Sequence, residues 1–265
     1  MGGTWGDKVI DLTEIEKEER TTKMSIALAT IVHDTTGDSI PYLDMIEDQL
    51  VTCYSELFIT ISNETSPELK HRLEKSAFRT KVIPKRGVAH ARRSALEFGL
   101  SSECDHLHCC DFDRLLTWSL LHNEELKKAV GAIENTQFIV FGRTMRAFLT
   151  HPIEWIETES IVNRIFSMRL GMKMDITAGS CGLSKKSGAF LTTYSNADWT
   201  DAEWPLIIRD IAKYHIDYCE VDGLEYREEL SGDRQVMEDV ERWFRRLEQA
   251  YRICSTMFSW KPPIV

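Results

Sequence analysis

Apolar residues in the first half of the chain fall into short runs separated by stretches of helical period. Ser25 to Val32 has the length of a strand and closes in His33-Asp34-Thr35, followed by a Gly37-Asp38-Ser39 turn. Pro41 suits a first helical turn, and Leu43, Ile46 and Leu50 then recur at helical spacing. Leu57 to Ile61 predicts a second strand, closed by Ser62-Asn63. Pro67 to Phe78 predicts a helix, Lys81 to Ile83 a strand, and Val88 to Phe98 a helix stopped at Gly99. His106 to Cys110 predicts a strand running into Asp111-Phe112-Asp113, and Gln137 to Phe141 another, ended by Gly142. Strand and helix alternating at this spacing predict an α/β fold with a mostly parallel central sheet flanked by helices.

The second half is less regular. Ile153 to Leu170 predicts a helix, and Ile176 to Gly182 a short strand entering a small-residue loop. Asp201 to Tyr214 looks helical and His215 to Val221 extended. Val236, Met237, Val240, Trp243, Phe244, Leu247 and Tyr251 share one helical face, with Ser231-Gly232-Asp233 as the start signal. That face predicts a C-terminal helix docked on the sheet. With no repeat or Gly/Ser/Pro-rich linker, the chain divides into a polar leader (1–23) and a single domain (24–265). Within it, 24–116 is the ligand-binding half, 117–230 the second half and 231–265 the C-terminal helix and tail.

Composition narrows the function. The chain has 265 residues, 43% hydrophobic and 28% charged, with net charge −10. That balance disfavours nucleic-acid and anionic-membrane binding, while leaving room for a local phosphate site. No apolar run approaches the ~20 residues that span a bilayer, and the leader lacks an apolar signal core. Seven cysteines, an odd number, fit reduced thiols and a cytoplasmic setting. Self-association stays open.

In a parallel sheet, ligands sit at the carboxyl ends of the strands. Here those ends carry His33-Asp34, Ser62-Asn63, Pro84 to Gly87 and Asp111-Phe112-Asp113. Chance alone produces an Asp-x-Asp in a chain this rich in aspartate, so position rather than occurrence gives the tripeptide its weight. Two carboxylates one residue apart on an extended backbone share a side, where they can hold a hard divalent cation beside diphosphate oxygens. Cys104-x-His106-x-His108-Cys109-Cys110 invites a competing zinc reading. It has no paired C-x-x-C and no second Cys/His pair, so buried thiols in a central strand are favoured.

From Met24 to Val221 the order of elements resembles the GT-A class of nucleotide-sugar glycosyltransferases, in particular its large inverting family (family-2-like). The resemblance rests on polar strand ends at Thr30 to Thr35 and Ser62-Asn63, a Gly87-x-x-x-Ala91-Arg92-Arg93 helix, and Asp111-x-Asp113. The family usually has Asn where Arg93 stands, and an acidic or apolar residue where Arg114 follows the motif. A second match is Asp201-Ala202-Glu203-Trp204-Pro205-Leu206-Ile207-Ile208-Arg209, which keeps the Leu and Arg spacing of the family's catalytic-base helix and puts Glu203 at the base position. Asp201 is the reserve.

The resemblance implies transfer of a sugar from a nucleoside-diphosphate donor to a small hydroxyl acceptor, with inversion and with Mn²⁺ or Mg²⁺. It implies Thr30, His33, Asp34, Asn63, Arg86, Arg92 and Asp111 around the nucleotide, Asp111 and Asp113 on the metal, and Ser180, Cys181 and Trp204 near the acceptor. Trp118, Trp155, Trp199 and Trp204 suit either stacking on a sugar acceptor or core packing, and Glu157 to Glu159 and Asn163 either the acceptor or solvent. Two rivals keep the fold: a sugar-phosphate nucleotidyltransferase, disfavoured because no Arg or Lys follows the first strand, and a non-catalytic nucleotide-sugar-binding member.

Overall fold

The computed structural model describes residues 10–12, 25–230 and 238–262. Seven strands make one sheet: β1 (Ile26–Val32), β2 (Glu56–Ser62), β3 (Phe78–Ile83), β4 (His106–Asp111), β5 (Phe138–Arg143), β6 (Ser180–Ser184) and β7 (Asp217–Val221). Their spatial order is β3-β2-β1-β4-β6-β5-β7, and β6 alone runs against the others. The mostly parallel α/β sheet expected from the sequence is present.

Strand periodicity sorts the core into two layers. Ile26, Leu28, Ile59 and Ile61 point to one face, where they meet α1 (Ile40–Cys53), α2 (Pro67–Glu74), α4 (Phe112–Leu121) and α5 (Asn123–Ile133). Ala27, Ala29, Phe58 and Leu107 point to the other. There they meet α3 (Val88–Gly99), α7 (Ile153–Leu170), α8 (Lys185–Tyr194), α9 (Thr200–Ile207) and α10 (Asp239–Ser259). The short α6 (Met145–Phe148) follows β5.

Several expectations are corrected. The helix from Pro67 stops at Glu74, and Phe78 already belongs to β3. Residues 176–179 lead into a strand rather than the reverse: Ser180 to Ser184 is β6, buried between β4 and β5. Of the leader, residues 10–12 are described, and they are not loose: the Ile10 amide donates to the Tyr218 carbonyl at 2.9 Å and Leu12 joins the core. The rest of the leader and the start signal at 231–233 lie outside the described residues. The C-terminal helix packs on α7 and α9 rather than the sheet. It does so through Ala250, Ile253 and Met257, while Val240, Phe244, Leu247 and Tyr251 stay exposed.

Candidate active site

The carboxyl ends of β1 to β4 surround a cavity of about 720 Å³, within the range of small-molecule sites. His33, Asp34, Ser62, Arg86, Asp111 and Asp113 line it, and Trp155, Glu229 and Leu230 close its other side.

Asp34 shapes the turn after β1. Its carboxylate accepts from the backbone amides of Thr36, Gly37 and Ser39 and from the Thr36 and Ser39 hydroxyls. Burial alone would raise its pKa; these donors instead hold it down at about 2. Gly37 turns the chain there with φ +83°. His33 bonds through Nδ1 to the Ser62 hydroxyl at 2.8 Å, and burial and then Lys85 push its pKa down, favouring a neutral ring. Lys85 is paired with Glu64 at 2.9 Å. Arg86 has no ion-pair partner among the described residues, so it is the cation on this wall that can meet a phosphate.

Asp111 ends β4 beneath this wall. Both its oxygens take donors from Arg92, at 2.6 and 3.1 Å. Arg92 reaches on to Asp201 at 2.9 Å and Thr200 at 3.2 Å, tying α3, β4 and α9 together. Burial opposes the guanidinium charge, but the two carboxylates raise its pKa well above the ordinary value. Gly179 makes this contact possible: a Cβ there would stand 2.8 Å from an Asp111 carboxylate oxygen, and its φ is +79°. Asp113, in the first turn of α4, accepts from the Arg114 amide through Oδ1 at 2.9 Å; Oδ2 has no hydrogen-bond partner among the described residues.

Not every expected residue reaches this cavity. Thr30 is fully buried inside β1, and Asn63 instead accepts from the Lys85 amide at 3.1 Å outside the cavity wall. Arg92 sits one layer lower, in a small space with Asp111, Ser180, Cys181, Asp201 and Trp204. Ser180 and Cys181 are strand residues, not loop residues; Ser180 bonds to His108 Nε2 at 2.8 Å.

Glu203 is placed differently from a base poised in a crevice. It is 1% exposed. Its carboxylate takes the Ser195 hydroxyl and the Asn196 and Ala197 amides at 2.5 to 2.7 Å, with Arg93 3.8 Å away. The residue fastens the turn between α8 and α9. Asp201 uses one oxygen for Arg92, and its Oδ2 is buried without a partner among the described residues.

Sequence reading missed Glu229, which follows Glu228 in an acidic run with no motif around it. It also missed the inward role of Glu159 and Asn163. Both join Asp175 and Thr177 around Arg143, a guanidinium buried at the end of β5. No spacing rule links residues 32 positions apart. The histidine–cysteine stretch forms no metal cluster among the described residues. His108 is enclosed by Tyr54 (2.7 Å), Ser180, Trp118 and Phe141, and burial lowers its pKa to about 3.

No protein-family model and no curated protein sequence matches the chain. Solved structures do. Glucosyl-3-phosphoglycerate synthase from Mycobacterium tuberculosis with Mn²⁺, UDP and phosphoglyceric acid superposes with a TM-score of 0.57. That match is at 14% identity over 94% of this chain and 85% of that one. The same enzyme with Mn²⁺, UDP and glucosyl-3-phosphoglycerate gives 0.58 at 14% identity, over 98% and 88%. With Mn²⁺, UDP-glucose and glycerol 3-phosphate it gives 0.57 at 14% identity, again over 98% and 88%. Identity this low speaks to architecture. Strand order, the acidic turn closing β4 and these superpositions give the chain the GT-A fold of nucleotide-sugar glycosyltransferases.

Proposed function

We propose that the chain is a metal-dependent glycosyltransferase that takes a sugar from a nucleoside diphosphate, with UDP as the nucleotide, and passes it to a hydroxyl of a small acceptor. The observation that carries this reading is the Asp111-Phe112-Asp113 turn opening into a large cavity at the carboxyl ends of the parallel strands. Its likeness in fold to an enzyme crystallised with Mn²⁺ and UDP supports the choice of ligands.

The donor set fits a hard cation. Asp113 has an oxygen to spare beside the cavity, and Glu229 lines the same cavity. Asp111, taken up by Arg92, is better suited to fixing the turn than to ligating. With no cluster of three protein ligands among the described residues, diphosphate oxygens would complete the shell. A bound Mn²⁺ or Mg²⁺ would supply charge to offset the leaving diphosphate. Arg86 would bind a phosphate oxygen.

Inverting transfer needs a base for the acceptor hydroxyl. With Glu203 saturated by three donors, that role passes to Asp201, whose Oδ2 has no partner among the described residues but is buried a layer below the cavity, so acceptor binding would have to uncover it. Because Arg92 also holds Asp201, a second reading is transfer with retention, in which an oxygen of the departing diphosphate takes the proton. Proton NMR of the glycoside product separates the two: a product of opposite anomeric configuration to the donor, lost in Asp201→Asn, supports inversion. A product of the same configuration, still made by Asp201→Asn, supports retention. Release of UDP from UDP-sugars with Mn²⁺, lowered at least 100-fold by Asp113→Asn, tests the reaction itself; equal release by the variant contradicts it.

A further inference from the structure

The C-terminal helix buries less of its apolar surface than its sequence provides. Ala250, Ile253 and Met257 pack on the second core layer. Val240, Phe244, Leu247, Tyr251 and Phe258 are 78, 68, 58, 72 and 85% exposed. Together with Cys254, these residues follow one another at steps of four, three, four, three and four, the a/d spacing of a helix seam. Among the described residues nothing covers Val240, Phe244, Leu247, Tyr251 or Phe258, while Cys254, at the edge of the seam, is partly buried against the second core layer.

We propose that this seam is the interface of a homodimer in which α10 of one copy packs antiparallel against α10 of another. Three rings plus Val and Leu, at ~150–250 Å² for each aromatic side chain, amount to several hundred Å². This approaches the ~800 Å² per partner of a standard interface and matches the largest apolar patches of ~300–600 Å² on monomers, which are often functional. A two-fold axis near residue 249 sets Val240 against Phe258, Phe244 against Cys254 and Leu247 against Tyr251. Each contact is then repeated by symmetry, and large side chains meet smaller ones. A parallel pairing would instead stack Phe244 on Phe244 and Tyr251 on Tyr251.

Charge favours a second copy over a membrane. The polar flank is internally neutral, with Glu241 bonded to Arg245 and Glu248 to Arg252, each at 2.7 Å. Helices that lie on anionic membranes carry a basic flank, and this molecule has net charge −10. Nor do the remaining residues of the sequence offer a segment of matching period: 1–9 hold only scattered Met1, Trp5 and Val9, 13–24 is charge-mixed, 231–237 adds Val236 and Met237 beside Asp233 and Arg234, and Pro263 to Val265 is three residues long.

The test is light scattering on the full chain at tens of micromolar. A dimer is expected, and Leu247→Glu with Tyr251→Glu should give a monomer with an unchanged circular-dichroism spectrum and thermal midpoint within a few degrees, since both positions are exposed in the single copy. A monomeric wild type, or a dimer that persists in the variant, overturns the proposal. Oxidation of Val240→Cys/Phe258→Cys should yield a covalent dimer that Val240→Cys alone does not. Equal cross-linking by the single variant, or none by the double, overturns the antiparallel pairing. Co-sedimentation of the wild type with phosphatidylserine vesicles, abolished by Leu247→Glu, would replace the dimer with a membrane site.

Discussion

Asp201 and Glu203 are two residues apart, yet their surroundings divide them sharply. Glu203 holds a turn through charge-assisted bonds to two backbone amides and a hydroxyl, each worth more than a neutral bond. Glu203→Gln keeps the shape and removes the charge, so about 1–3 kcal/mol of stability should be lost, read as a fall of several degrees in the thermal midpoint. Asp201→Asn weakens the buried pair with Arg92 and should lower the midpoint as well; what separates the two variants is turnover, which Asp201→Asn should remove and Glu203→Gln should keep at temperatures where it is folded. Opposite behaviour of the two variants would reverse the roles. Spacing placed both acids on α9 correctly. It could not tell which faced inward, because that depends on where the Ser195 to Ala197 turn comes to rest.

At the scale of elements, the site depends on β6 allowing α3 and β4 to meet. Gly179, just before β6, stands so close to Asp111 that any side chain would displace the carboxylate from Arg92. Gly179→Ala should cost about 1–2 kcal/mol from the positive φ alone and weaken UDP binding at least tenfold by calorimetry; unchanged affinity would show that the Arg92–Asp111 contact does not shape the site. The strands β1 to β4 and the polar groups at their ends were legible from alternating runs and turn residues. The antiparallel β6 was not, because Ser180, Cys181 and Gly182 look like a loop until β4 and β5 bury them on both sides. The face of α10 was legible as a period but misread as to its partner: periodicity reports an apolar side and not what covers it.

Across the whole molecule, buried imidazoles make stability depend on pH. Burial lowers His108 to about 3. Burial, then Arg114 and Arg143, lower His151 to about 2. Both lie below the usual 6.5, so on acidification the unfolded chain takes up protons that the folded chain refuses, and stability falls as pH drops from about 6.5 toward 3. Asp175, lowered to about 2 against burial by the Arg143 charge and its bonds, adds a further loss between about 4 and 2. The slope above pH 4 should approach, at most, about 1.4 kcal/mol per pH unit for each histidine. His108→Gln, whose amide can bridge the same two hydroxyls without titrating, should flatten it. A thermal midpoint constant from pH 6.5 to 4.5 would contradict this.

The net charge of −10 disfavours a bare diphosphate as ligand, but Arg86, and a cation held at Asp113, reconcile an acidic protein with an anionic donor. Titration of UDP into the protein by calorimetry, with Mn²⁺ and with chelator, tests that most directly. Micromolar binding that requires Mn²⁺ and falls at least tenfold in Asp113→Asn is the predicted result. Absence of binding, or binding indifferent both to Mn²⁺ and to Asp113→Asn, would contradict it.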